Sequence, residues 1–282
     1  MAKQITIDAK GVDCTSLNQQ IREALKDGAD EVVVNNVLGQ RFIGDGLRGN
    51  ATICVHGVAG GDLAMFMSGP TVVVHGNAEH APGNTMDSGK VVIHGSAGDA
   101  VAHSMRGGKV FVRGDIGYRG GIHMKQYETQ RPILVVGGSA QMFLGEYMAG
   151  GLLIVLGLDG VMKAREIGSG IHGGEIVVRG DVDDTCLAAG AKKVPLTDED
   201  RARIAPVIRE FGSSLRAHGP LPGSIRGSDR HGDEDLQRPG RRGLGYGPLL
   251  RVRGLRGSLS GGCPPVRPGE HRCAGEHWLL QG

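Results

Sequence analysis

Aromatic side chains are scarce: Phe, Tyr and Trp together supply 10 of the 282 residues. With so few rings and so much glycine, an ordinary α/β enzyme or helical bundle is excluded, because each Gly inside such an element costs about 0.5–1 kcal/mol. No apolar run reaches the roughly 18–20 residues of a membrane span, and the opening MAKQITIDAK has no apolar core of a signal peptide. The five cysteines (Cys14, Cys54, Cys186, Cys263, Cys273) are odd in number and never in CxxC spacing, which fits free thiols rather than disulfides, zinc or iron–sulfur. Charge of one sign is missing too: 32 basic residues face 30 acidic ones, and no basic patch argues for nucleic acid. There is no GxSxG, no HExxH and no P-loop Lys-Ser/Thr. The expectation is a soluble cytoplasmic protein that touches neither membrane nor nucleic acid.

Glycine is what the chain has in excess, 50 residues where average usage of roughly 7 % gives about 20. It does not recur every third position, so collagen is excluded, and it punctuates Val/Ile/Leu runs, so a flexible linker is excluded. The runs repeat: VVVNN ends at Asn36, then ICVHG, VVVHG, VVIHG, VFVRG, ILVVG, LIVLG and IVVRG end at Gly57, Gly76, Gly95, Gly114, Gly137, Gly157 and Gly180. The intervals are 21, 19, 19, 19, 23, 20 and 23 residues, and Met67, Met86, Met105 and Met124 repeat at 19 between them. Such a repeat is too short for a βαβ unit of roughly 30 residues and lacks the six-residue sub-period of the left-handed hexapeptide helix. It predicts an all-β fold, a single-stranded right-handed parallel β-helix of about eight coils with a modal period of 19.

Like residues stack on like in a solenoid, so columns can be read down the repeat. The glycines at 57, 76, 95, 114, 137, 157 and 180 are read as corners whose backbone conformation is open mainly to Gly and Asn. The fourth and second positions before each corner are apolar throughout and predict the interior. The third position should point outward, yet it is Val33, Cys54, Val73, Val92, Phe111, Leu134, Ile154 and Val177. Eight coils make this stripe about 35 Å long, and a 15-residue helix reaches about 22 Å. Part of it, with Val73, Val92, Phe111, Leu134 and Ile154 at its centre, is therefore expected to meet another domain or subunit. The Met ladder reads as core filler.

The domain plan follows. Residues 1–30 form an N-terminal strand and helix cap, with Leu17, Ile21 and Leu25 of SLNQQIREALK on one helix face; residues 31–192 are the β-helix; residues 193–218 carry a C-terminal helix from Thr197 to Phe211. The insertion Tyr118 to Pro132 breaks the period and, with Arg119, His123 and Lys125, is the loop expected to reach an acidic partner. From Gly219 to Gly282 the repeat is lost and Gly, Arg and Pro dominate, a composition of disorder and of GC-rich coding DNA translated out of frame. His56, His75 and His94, followed by Arg113, form one column, which any stacked solenoid produces; Asp62, Asp99, Asp115 and Glu146 fall at turns. No catalytic, cofactor-binding or metal-ligating residue is assigned in this chain.

Five segments, GQRFIGDGLRG (39–49), GDLAMFMSGPTVVVHGNA (61–78), GNTMDSGKVVIHGSAGD (83–99), MRGGKVFVRGDIGYRGGIHMK (105–125) and GGSAQMFLGEYMAGGLLIVLG (137–157), resemble the GXGXG family. Its Gly-x-x-Gly spacing stands here as Gly95/Gly98 and Gly114/Gly117. That family comprises the C-terminal β-helix domain of the glutamate synthase large subunit and the related β-helix subunit of formylmethanofuran dehydrogenase. GIHMK followed by GEYMAGGLLIVLG looks most like synthases whose β-helix is a separate polypeptide. The resemblance implies a non-catalytic chain with an amidotransferase partner and an FMN and iron–sulfur synthase partner. It also implies that those cofactors sit in the partner.

Overall fold

A computed structural model describes residues 2–158, 162–217 and 249–254. Its centre is a single 11-stranded sheet wound into a parallel β-solenoid of about seven turns, the expected right-handed β-helix with flanking helices. The strands are β1 (Gln4–Asp8), β2 (Glu31–Leu38), β3 (Thr52–Val58), β4 (Ser68–His75), β5 (Ser88–Ile93), β6 (Lys109–Val112), β7 (Ile133–Val136), β8 (Ala149–Val155), β9 (Gly173–Arg179), β10 (Ala191–Pro195) and β11 (Leu249–Gly254). The eight repeat copies fall on β2 to β9, and β1 to β9 pair in sequence order, all parallel. Helix α1 (Cys14–Lys26) starts at Asp13, whose side chain accepts the Thr15 and Ser16 N–H groups, and it closes the first coil with Leu17, Ile21 and Ala24.

The interior is a column stack. Val32, Ile53, Val72, Val91, Val110, Leu134, Leu153 and Ile176 lie in one rung column, and the methionines at 67, 86, 105, 124 and 148 lie in another, all fully buried. Leu134 is a correction. It stacks on Val110, an interior residue, and Val135 takes the outward place beside Phe111. The run ILVVGG can be aligned on either glycine, and side chains alternate faces, so a corner at Gly137 rather than Gly138 turns the whole strand over.

The corner glycines need their missing Cβ for a different reason at most positions. Gly57, Gly157 and Gly180 have φ of 127°, 54° and 98°, but Gly76, Gly95, Gly114 and Gly137 are not in the left-handed region. There the coil below leaves no space: a Cβ at Gly76 would lie 2.1 Å from the Gly57 carbonyl oxygen, and one at Gly95 2.1 Å from Asn77 Oδ1. Left-handed backbone is instead concentrated on the opposite wall, the turn face, at residues that are often not Gly: Asp62, Ala64 and Phe66 in one coil, Arg119 and His123 in another, Phe143 and Tyr147 in the next.

Helix α2 (Asp198–Ala217) is longer than the expected 197–211 and changes the fate of the outward stripe. Thr197 and Asp200 cap it reciprocally, the Thr197 N–H donating to Asp200 Oδ2 (3.0 Å) and the Asp200 N–H to Thr197 Oγ1 (3.2 Å). Its 20 residues reach about 30 Å. Ile204, Ile208, Phe211 and Leu215 form one apolar cluster with Cys54, Val73, Val92, Phe111, Val135, Ile154 and Val177. Phe211 meets Phe111 edge to face at 5.6 Å, and Glu210 holds Lys90 at 2.7 Å.

Of the tail 219–282, only residues 249–254 are described, and they correct the expectation of disorder there. They form β11, antiparallel to both β9 and β10. The remainder of that segment, with Cys263 and Cys273, lies outside the described residues.

Candidate interaction site

Three polar ladders run along the solenoid. In the first, His56 and His75 stack with centroids 4.6 Å apart and His75 and His94 at 5.0 Å, nearly parallel. Burial pushes the His56 pKa down, favouring neutral imidazole. Among the described residues, no group of three or more His, Cys, Asp or Glu is placed to hold a metal ion.

The second ladder explains the paired glycines. Asn77 Oδ1 accepts the Ser96 N–H (2.9 Å), Ser96 Oγ the Asp115 N–H (3.1 Å), Asp115 Oδ1 the Ser139 N–H (2.6 Å) and Ser139 Oγ the Lys163 N–H (2.9 Å). Beside it, His80 Nδ1 accepts the Asp99 N–H and Asp99 Oδ1 the Tyr118 N–H. A Cβ on Gly95 or Gly114 would strike the first of these chains, and one on Gly98 or Gly117 the second. Asp99 and Asp115 thus satisfy backbone donors of the next coil.

The third lies on the turn face. Its left-handed positions carry Phe66 (φ 54°), Arg119 (59°), His123 (53°) and Tyr147 (50°). Such backbone costs roughly 1–2 kcal/mol at a residue other than Gly. Bonds between coils hold it in place: the Phe66 N–H donates to the Asn84 carbonyl (3.0 Å), His123 to Glu146 (2.9 Å) and Tyr147 to Ser169 (2.8 Å). The rings of His123 and Tyr147 stack at 5.3 Å, with His103 6.1 Å from His123. Burial, then the neighbouring His123, pushes the His103 pKa down. Arg41 pairs with Asp62 at 2.8 Å, Asn84 donates to Asp62 at 3.1 Å, and Arg119 reaches Glu146 at 3.2 Å.

Among the described residues, the exposed large hydrophobic side chains are Leu38, Phe66, Tyr118, Tyr127 and Tyr147, so four of the chain's few rings face water. Phe66 is 52 % exposed and Tyr147 47 %. Exposed aromatic rings and arginines are enriched at protein–protein interfaces relative to the rest of a protein surface.

The residues singled out from sequence divide accordingly. Val73, Val92, Phe111 and Ile154 do point outward, but each is 0 % exposed beneath α2, so the stripe is not free interface surface; Leu134 is interior. The corrected reason is helix length, since α2 runs six residues past Phe211. The insertion is also shorter than expected: residues 118–125 keep the regular turn, and the exposed excess centres on a tight turn closed by Tyr127 and Gln130. Arg119 and His123 belong to the turn face, and the Lys125 ammonium lies 5.4 Å from the Tyr127 ring centroid. Sequence reasoning missed Phe66 and Tyr147. Their signal was the place just before each interior methionine, where most coils carry a smaller side chain.

The described cysteines, Cys14 on α1, Cys54 on β3 and Cys186 after β9, occupy separate elements and form no cluster. Burial, followed by a hydrogen bond to Glu31, pushes the Cys54 thiol up to about 12, far from a reactive thiolate. No helix among the described residues is long and apolar enough to cross a membrane.

Comparison with known proteins matches the geometry. An uncharacterized protein of Methanocaldococcus jannaschii is 56 % identical over 218 residues, covering 74 % of this chain and 84 % of that protein. The model of the GXGXG motif matches residues 15–217, from α1 through the solenoid to the end of α2. The chain belongs to the GXGXG motif family.

Proposed function

We propose that this chain is a non-catalytic structural β-helix subunit of a glutamate synthase-like complex, docking an amidotransferase subunit and an FMN/iron–sulfur synthase subunit. The complex would form two glutamates from glutamine and 2-oxoglutarate, the two reducing electrons coming from an external donor through the FMN and iron–sulfur centres of the partner. The observation that supports this most is the family match, which spans the solenoid from β2 to β10 and both of its helices. The flavin and the iron–sulfur cluster are assigned in this reading to the partner subunit, as the family resemblance implies. The turn face, with Phe66, Tyr118 and Tyr147 exposed, is the surface on which we place the partners, because the apolar stripe is sealed by α2.

Mild affinity purification of the tagged full chain from its source cells tests the proposal. The expected outcome is co-elution of an amidotransferase polypeptide and of a flavoprotein with flavin absorbance. Co-elution of molybdopterin and formyltransferase subunits would move the chain to the formylmethanofuran dehydrogenase branch. Elution alone, with turnover of its own, would overturn the scaffold role.

A further inference from the structure

The C-terminal end of the solenoid carries a second feature, independent of the turn face. Strand β9 is the last parallel rung, and an uncovered sheet edge invites pairing. It is covered by β11 running the opposite way, with Leu250 facing Val178, Arg251 facing Val177 and Val252 facing Ile176. Alternation sends Val252 into the solenoid interior, where it is 0 % exposed, and sends Arg251 to the outer side beside the start of α2.

Two carboxylates wait there, Glu175 of β9 and Asp200 of α2, with side chains 9 % and 10 % exposed. The body of the protein uses one oxygen of Glu175: Arg131 and Arg203 both bind Oε2, at 3.1 and 2.7 Å. Among the described residues Oε1 meets only arginines of β11, a short contact with Arg253 and Arg251 at 3.8 Å. Asp200 is divided similarly, Oδ1 taking Arg203 at 2.8 Å and Oδ2 taking Arg251 at 2.7 Å besides its Thr197 cap. Arg131 and Arg203 already balance the two carboxylates, so what β11 adds is donors: Glu175 Oε1 meets none from the body among the described residues, and a buried acceptor left unpaired is costly, which favours an arginine on the incoming strand. The acceptor lies within the family-matched residues 15–217, whereas its occupant lies outside them, 31 residues beyond α2.

We propose that the β9 edge, with Glu175 and Asp200, is a strand-docking site for an extended segment with arginines alternating with apolar residues. The chain's own residues 249–254 are its resident occupant, exchangeable for the same segment of a second copy. Main-chain pairing supplies the affinity and the two carboxylates the selectivity.

A fluorescent peptide of residues 247–256 added to the full chain tests it by anisotropy. Wild type, with its edge filled, should bind weakly. A full-chain R251E/R253E variant should release its own strand and bind the peptide at least tenfold more tightly, and a charge-reversed peptide should not bind. Adding E175Q and D200N to that variant should abolish the gain. The milder R251A/R253A variant guards against misfolding of the first and should show the same direction. Equal binding by wild type and both opened variants, or equal binding of the charge-reversed peptide, would overturn the proposal.

Discussion

The sheet face and the turn face belong to the same coils but solve opposite problems. On the sheet face, both sides of each strand are apolar, and the outer side is closed by the chain's own helix, leaving Val73, Val92, Phe111, Ile154 and Val177 without solvent contact. On the turn face, the backbone turns left-handed at three places in most coils, and rings and imidazoles stand in water. The apolar stripe in the sequence is therefore a mark of internal packing, and the sparse exposed rings mark the surface on which we propose that a partner docks.

The largest expected effect breaks the stacking that both faces share. Gly76→Ala would place a Cβ against the Gly57 carbonyl and should cost on the order of 4–5 kcal/mol, read as loss of soluble folded protein. Gly180→Ala meets no atom within 4 Å and is strained by its φ alone, so it should cost only about 1 kcal/mol. Equal losses from the two would show that close approach is not what the central corners require.

Next comes the covered face. Phe211→Ala removes the ring that packs on Phe111 and should cost about 3–5 kcal/mol in denaturant unfolding, with increased binding of a hydrophobic dye to the opened stripe. A loss under about 1 kcal/mol would mean that α2 is not what seals it.

Acid should loosen the same helix. Burial opposes ionisation of Glu175, Asp200 and Glu210, but their basic and backbone partners outweigh it and hold all three pKa values below the ordinary carboxylate range. A lowered folded-state pKa stabilises the fold fully above the unfolded value of about 4 and loses that contribution as pH falls through the folded value. The melting temperature should accordingly hold its carboxylate contribution down to about pH 5 and fall below about pH 4. In E175Q/D200N that fall should be shallower; an unchanged profile would contradict the ion-pair account.

The smallest effect belongs to the turn face. Phe66→Gly relieves a left-handed φ at a half-exposed side chain, and its stability should stay within about 1 kcal/mol of wild type in either direction. A loss as large as that of Phe211→Ala would make Phe66 a packing residue rather than a surface one.

Much of this was legible because a stacked solenoid writes its geometry as a period. The intervals of 19 placed the strands, the interior columns and the methionine ladder, and the apolar positions of 197–211 placed the first part of α2. What escaped depended on contacts between coils. The glycine pair after Val136 left the register of β7 open by one residue, and one residue reverses every side chain. The continuation of α2 passes through Gly212, Ser213 and Ser214, which are weak helix formers, yet Leu215 beyond them is buried with the apolar cluster. The left-handed positions at Phe66 and Tyr147 are held by carbonyls of the next coil, and a propensity argument for those residues points away from such a conformation. β11 comes 31 residues after α2 and pairs against the parallel direction, so no local pattern announces it.

The division of labour between the two faces is tested most directly by a paired purification of the complex. A tagged full chain carrying Phe66→Asp and Tyr147→Asp is compared with wild type for the partner subunits it retains, with melting temperature measured alongside. The variant should keep a melting temperature near wild type and lose its partners by at least tenfold. Retention of the partners at the wild-type level by the folded variant would contradict the placement of the partners on the turn face.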